Sequence, residues 1–268
     1  MTEFDFPART VSVLIFNFLS FKDNLALVLD RTNWKFRTKN INILMLGVSY
    51  KNVAFPLMFK MLDKRGNSDT EERIELIKQY IKWFGKENID CLWADREFVG
   101  DKWMEFLNEN RIRYYIRIRN NFKIYSYQKQ TEIKAFWLFN NLKIGEFCHY
   151  PKIVELHGQR CYLSGSKTVD RNGKMEFLII VSFNKPEQAM AYYKQRWQIE
   201  TLFRGLKSSG FKIEDTHVTD LERLEKLFSL TMIAFIWCYK IGDYLDENIK
   251  KIEIKNMAEE LLAYPNTD

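Results

Sequence analysis

The chain has 268 residues, enough for one large domain or two small ones with ample core. Its 46% hydrophobic and 15% aromatic content excludes a disordered polymer, and 28% charged residues matches an ordinary soluble protein. A net charge of +6 permits a nucleic-acid partner without demanding one.

The first predicted element is a helix near Val11 to Phe21, apolar but preceded by Glu3 and Asp5 rather than by excess positive charge, so no signal peptide is expected. Leu25 to Leu29 is a continuous apolar run ending at Asp30, suited to a strand covered on both faces. Ile41 to Tyr50 and Val53 to Met61 read as an antiparallel hairpin turning at Asn52. Ser68 or Asp69 caps a helix that runs to about Phe84, where Gly85 stops it. Ile89 to Ala94 is a second short apolar strand, ending at Asp95, followed by a helix over Gly100 to Asn110 and a strand over Tyr114 to Ile118. From about Asn121 to Asn184 short aromatic and β-branched runs alternate with turn residues, including the hairpin signal Asn172-Gly173. Pro186 opens a helix that continues to about Ser208 and ends at Gly210. A last helix covers about Leu221 to Leu245; its apolar stretch Leu227 to Tyr239 is too short to span a bilayer and reads as buried core, so no membrane is expected.

Cys91, Cys148, Cys161 and Cys238 are widely spaced and form no C-x-x-C pair, which excludes a zinc spacing and a secreted disulfide framework. Reduced thiols and a cytoplasmic location are the expectation. Five of the seven tryptophans, Trp34, Trp93, Trp137, Trp197 and Trp237, read as core, and His217, with Glu214 and Asp215, as structural.

Asp30 and Asp95 each follow a short apolar strand, which in a parallel sheet places both carboxylates at one edge, where ligands of open α/β sheets bind. Two carboxylates side by side repel unless a cation lies between them. An aspartate at a strand end is equally a turn or helix cap, and each taken alone fits that role. The helix after Pro186 adds Tyr193, Arg196, Glu200 and Lys207, which at about 100° per residue fall on one narrow stripe. A carboxylate flanked by two cations and a phenol suits metal and phosphate together; an i,i+4 ion pair between Arg196 and Glu200 on a solvated face is the plainer reading.

The run from Tyr193 through Arg196 and Glu200 to Lys207 matches Y-x2-R-x3-E-x6-K. That pattern resembles the signature of bacterial insertion-sequence transposases of the DDE superfamily, in the insertion-sequence-four group. Asp30-Arg31-Thr32-Asn33-Trp34 resembles the group's first aspartate motif, and Ala94-Asp95-Arg96-Glu97-Phe98 its second. The resemblance covers about Leu25 to Tyr239. It implies an α/β ribonuclease-H-like core, a mixed sheet flanked by helices, with a β-rich insertion before the glutamate helix. It further implies Asp30, Asp95 and Glu200 as catalytic metal ligands for two Mg²⁺ or Mn²⁺ ions about 4 Å apart. Tyr193, Arg196 and Lys207 would contact DNA phosphates. Double-stranded DNA, as transposon ends and target, is the implied partner, bound by a homodimer.

Between Arg111 and Lys134 seven Lys or Arg face one acid, Glu132. Arg113, Arg117 and Arg119 share one strand face and could line a DNA groove, or a solvated sheet face. The expected organisation is a remnant N-terminal helix (1–23), the first part of the core (24–120), the insertion (121–185), the second part of the core (186–246) and a tail (247–268). Family members carry a helical DNA-binding region ahead of the first aspartate, where this sequence has 29 residues. A truncated reading frame or a separately encoded front half is the expectation. A non-catalytic DNA-binding remnant and a general ribonuclease-H-like nuclease are the alternatives.

Overall fold

The computed structural model describes residues 7–36, 38–169, 173–208 and 210–251. The predicted Asn172 and the end of the tail, 252–268, lie outside them, as do residues 1–6. Among the described residues, eleven strands join in the order β3-β2-β1-β4-β5-β11-β10-β9-β6-β7, with β8 on β10.

The first five strands build the core. β1 (Leu25–Phe36), β2 (Lys39–Tyr50) and β3 (Val53–Met61) form an antiparallel meander. The β2–β3 turn is made by Lys51 and Asn52, both at positive φ (47° and 62°), the two-residue geometry whose twist suits a tight hairpin. β4 (Ile89–Ala94) then pairs parallel with β1, and β5 (Tyr114–Ile118) parallel with β4. Three antiparallel strands followed by two parallel ones, in a sheet flanked by helices, give the mixed ribonuclease-H-like core. The parallel connections run through α2 (Thr70–Phe84) and α3 (Asp101–Glu109). α2 starts on a capping box, with Asp69 accepting from the Glu72 N–H and the Glu72 side chain accepting from the Asp69 N–H. It stops at Gly85, whose φ of 85° an L side chain adopts only with strain.

The segment expected as an insertion continues this sheet. β11 (Met175–Ser182) pairs antiparallel with β5, and β10 (Gln159–Val169) with β11. β6 (Lys123–Ser126), β7 (Thr131–Lys134), β8 (Phe147–His149) and β9 (Val154–Leu156) extend it outward.

Helix α1 (Ala8–Phe18) packs with β3 and α6 (Leu221–Asn248). α6 lies against β3 through Phe228 on Phe59 and Tyr239 on Phe55, ring centroids 4.7 and 4.6 Å apart. It is not the buried core helix expected. Only one face is covered, and Trp237, Ile241, Tyr244 and Leu245 are exposed. Trp34 and Trp93 are core as expected, whereas Trp137, Trp197 and Trp237 are exposed. Among the described residues no helix is long and apolar enough to cross a membrane. All four cysteines are free thiols, Cys91 and Cys161 buried.

The helix predicted from Pro186 to Ser208 is broken. A 3-10 turn (Pro186–Gln188) leads into α4 (Ala189–Gln195), and α5 (Trp197–Lys207) begins after Arg196. Around the break the hydrogen bonds close over three residues, Arg196 N–H to Tyr193 O and Ile199 N–H to Arg196 O, both 3.1 Å. α4 lies on β5 and β11, and α5 on β3 and β1. The two segments thus cover different strands of one face.

Candidate active site

Sheet register brings the two aspartates together. The parallel ladder between β1 and β4 ends at Leu29↔Ala94, so Asp30 and Asp95 are next in line on adjacent strands. β5 adds a third member, because Ala94 pairs with Ile116 and Arg117 follows. Residues paired directly across a sheet share a face. Asp30, Asp95 and Arg117 therefore form a row beneath α4 and α5, where Trp93 and Tyr115 also pack on Tyr192. Asp30 does not end its strand as predicted. β1 continues through it to Phe36, with Asp30 paired to Met45 on β2.

Gly47 of β2 lies where β1, β2 and β3 crowd together beneath α5. A Cβ there would sit 3.0 Å from the Phe55 carbonyl oxygen, 3.2 Å from Val28 and 3.8 Å from Ile199 of α5. Ile199, Leu202, Phe203 and Leu206 are buried, and Glu200 is carried on the same first turn of α5.

Arg196, at the helix break, lies between the acids with 4% of its side chain exposed. It donates from one terminal nitrogen to Asp30 Oδ2 (3.4 Å) and from the other to Glu200 Oε1 (2.7 Å), while its buried Nε has no partner among the described residues. Tyr193 Oη donates to Asp95 Oδ1 (3.3 Å). Asp30 also accepts from the Arg31 main-chain N–H (2.7 Å). Burial pushes the Asp30 carboxyl up to about 7, with Asp95 and Glu97 adding to the rise while Arg196 and the Arg31 N–H oppose it. Burial likewise raises the Tyr193 hydroxyl to about 12, so it remains a donor. Burial works against the Arg196 charge, but Tyr193, Asp95, Asp30 and Glu200 outweigh it and hold the guanidinium protonated above its ordinary range.

The remaining predicted residues separate. Lys207 Nζ donates to the Asn33 carbonyl (3.0 Å), pairs with Glu214 (2.8 Å) and lies over Trp34. His217 packs edge-on against Phe36. Arg113 is tied to Asp90 (2.8 Å) and Asn184 (2.8 Å), four residues back along β5 from Arg117 and hence about 13 Å away. Arg117 and Arg119 instead line a cleft of about 230 Å³ with Arg96, Asn120 and Asn121, bordered by Glu176 and Phe177. Arg96 was not singled out from sequence, although its place directly after Asp95 was the available signal.

On the opposite face of β1, Arg31 meets Glu97 side-on, Nε to Oε1 at 3.2 Å and the terminal nitrogen to Oε2 at 3.4 Å. Sequence reasoning missed this pair too. Strand alternation puts Arg31 away from Asp30, but only the fold shows what it meets.

The donor chemistry fits a hard divalent cation. Asp30, Asp95 and Glu200 are all carboxylates, and the raised pKa of Asp30 marks a buried anion that Arg196 alone does not fully compensate. Among the described residues no three such side chains are drawn together as a closed ligand cluster. A cation entering here competes with the Arg196 guanidinium for Asp30 and Glu200.

Comparison with known proteins supplies the family. No curated protein matches the chain. Similar solved structures include the catalytic core domain of HTLV-2 integrase in complex with magnesium, at 17% identity and TM-score 0.28, over 35% of this chain and 61% of that one. Marinitoga piezophila Argonaute in complex with 5′ OH guide RNA is similar at 12% identity and TM-score 0.29, over 66% of this chain and 26% of that one. Endonuclease V of Bacillus subtilis is similar at 10% identity and TM-score 0.30, over 89% and 97%. The chain thus spans less than two-thirds of the first two. The family model for the transposase DDE domain matches residues 25–237, which hold every strand of the described residues and the acid-bearing helix, and the chain belongs to that family.

Proposed function

We propose that the chain is the catalytic domain of a DNA transposase of the insertion-sequence-four group, cutting and joining phosphodiesters at transposon ends. The observation that carries this is the register that sets Asp30 beside Asp95, with Glu200 joined to Asp30 through one guanidinium. Asp30, Asp95 and Glu200 would hold Mg²⁺ or Mn²⁺, as two ions, which supply activation of a water or 3′-hydroxyl nucleophile and stabilisation of the leaving oxygen.

The chain's own groups prepare that site. Tyr193 orients Asp95 by its hydrogen bond. Arg196 offsets the acids' repulsion and, released from one of them, has a terminal nitrogen to offer a phosphate. Lys207 bears a point charge at the end of the same helix, and Arg117 and Arg119, with Arg96, give the DNA backbone a basic track leading away from Asp95. Arg113 keeps a place on this strand face, but its ion pair with Asp90, like that of Lys207 with Glu214, must open before it meets a phosphate. A pair of protomers on two DNA ends is the proposed assembly, in the cytoplasm.

The test is incubation of purified protein with Mg²⁺ or Mn²⁺ and duplex DNA bearing matching terminal repeats. Nicking at the repeat ends and joining to a target are the expected outcome, abolished by Glu200→Gln with the fold unchanged. Absence of both reactions in the unaltered chain rejects the proposal. Cutting of arbitrary duplexes without joining would instead identify a general nuclease.

A further inference from the structure

The two aspartates are held by different means. Asp30 stands inside a ladder, paired on β2 with Met45. Asp95 lies beyond the last residue of β4, on a turn closed by the Phe98 N–H donating to the Asp95 carbonyl (2.9 Å). A sheet fixes the first side chain; something else must fix the second.

Two neighbours of Asp95 anchor its turn. Phe98 is fully buried, with the Arg73 guanidinium 4.9 Å from its ring centroid. That contact, a cation over an aromatic face, anchors the turn through its ring. Glu97 supplies the second hold through its side-on pair with Arg31. The guanidinium is itself braced, donating to Asn42 Oδ1 (3.0 Å) and Asn67 Oδ1 (3.3 Å). Asn42 is 2% exposed and donates its amide to the Lys64 and Gly66 carbonyls (3.2 and 2.9 Å), which leaves its oxygen turned to Arg31. Arg31 thus reaches both aspartates. Its main-chain N–H holds the Asp30 carboxylate, and its side chain holds the Asp95 turn.

We propose that Arg31 and Glu97 are positioning residues that fix the Asp30 and Asp95 carboxylates relative to each other for a divalent cation. This rests on reading those acids as cation ligands. Neither side chain hydrogen-bonds the Asp30 or Asp95 carboxylate; apart from the through-space charge of Glu97 on Asp30, the pair acts through the backbone that carries them. Groups that orient metal ligands from behind are worth about 10- to 100-fold in metal affinity. The side-on geometry is specific to arginine, because a lysine ammonium is a point charge and engages one oxygen where the guanidinium engages two.

The test is Mn²⁺ binding to the full chain without DNA, followed by the electron paramagnetic resonance signal of the free ion, beside a thermal melt of each variant. Arg31→Lys and Glu97→Gln are each expected to weaken Mn²⁺ binding by about 10- to 100-fold. The double variant should be no weaker than the worse single, because both remove one contact. Tyr80→Phe, which deletes the buried hydrogen bond to Asn88 (2.9 Å) far from the acids, serves as the destabilised control and should keep its Mn²⁺ affinity. Unchanged affinity in both single variants with lowered melting temperature makes the pair a structural staple and overturns the proposal. So does an equal loss in Tyr80→Phe. A wild-type chain that binds no Mn²⁺ removes the cation reading itself, and this proposal with it.

Discussion

At the scale of single residues, the site is organised by one buried cation and one buried anion. Removing one member of a buried pair leaves the other uncompensated, a cost of about 3–5 kcal/mol where both are fully enclosed. Glu200 keeps 36% of its side chain exposed, so the penalty for Arg196→Met falls mainly on Asp30 and sits at the lower end. The expected result is a drop in unfolding free energy of about 3 kcal/mol without divalent ions, partly recovered on adding Mg²⁺. Denaturant titrations in chelator and in Mg²⁺ measure both. Asp30 carries a pH dependence of definite sign. Its carboxyl titrates near 3.8 when unfolded and at about 7 when folded, so the folded chain binds that proton more tightly. Its contribution is therefore greatest at low pH and is lost as pH rises through roughly 4 to 7. In chelator, the melting temperature of the wild-type chain relative to Asp30→Asn should fall across that window. A constant difference would show that Asp30 titrates normally. Asp69, whose pKa is lowered first by Lys64 and then by the Glu72 N–H, acts in the opposite direction below its ordinary range and cancels in that comparison.

At the scale of elements, the close packing of β2 against β3 and β1 beneath α5 depends on the absence of a side chain at Gly47. An added methyl meets the Phe55 carbonyl oxygen at 3.0 Å, and backbone in a paired strand cannot yield cheaply. Gly47→Ala should cost about 1–3 kcal/mol as overpacking, read from the denaturant midpoint, whereas Gly242→Ala, inside α6 with nothing near its added methyl, should stabilise by about 0.5–1 kcal/mol. Elements were legible in the sequence where an apolar run met a residue that ends it. Ile89–Ala94 and Tyr114–Ile118 have the predicted bounds, and α2 runs from its Asp69 cap to Gly85. The continuation of β1 beyond Asp30 was hidden because Arg31-Thr32-Asn33-Trp34-Lys35 reads as polar, although Thr32 and Trp34 alternate inward. Nor does periodicity mark the break at Arg196. Nothing in its neighbours disfavours helix, and the pair with Glu200 is a local i,i+4 contact; the ion pair to Asp30, which also holds that residue, exists only once the sheet is assembled.

Across the whole molecule, the candidate site was legible as a set of residues but not as an arrangement. Asp30, Asp95 and Glu200 could be named from motifs, since each sits in a recognisable local pattern. The destination of a basic side chain could not, because strand parity gives a face and not a neighbour. Arg113, Arg117 and Arg119 share that parity, yet Arg113 is consumed by Asp90 and Asn184 while the other two open onto the cleft with Arg96. Among the described residues none of Arg96, Arg117 and Arg119 forms an ion pair, so their charges face outward along the row that contains Asp95. This division predicts a measurable difference. Each phosphate neutralised by a cationic side chain contributes about −0.9 to the slope of log affinity against log salt. Arg96→Gln, Arg117→Gln and Arg119→Gln should each make that slope shallower by roughly one, uniformly across DNA sequences. Arg113→Gln should leave the slope nearly unchanged and lower thermal stability instead, because it strips a partner from Asp90. Fluorescence anisotropy of a labelled duplex across a salt series, in Ca²⁺ or chelator to prevent cutting, reads all four variants. A full unit lost with Arg113→Gln, or none with the other three, would move the DNA path off this cleft and back along the strand.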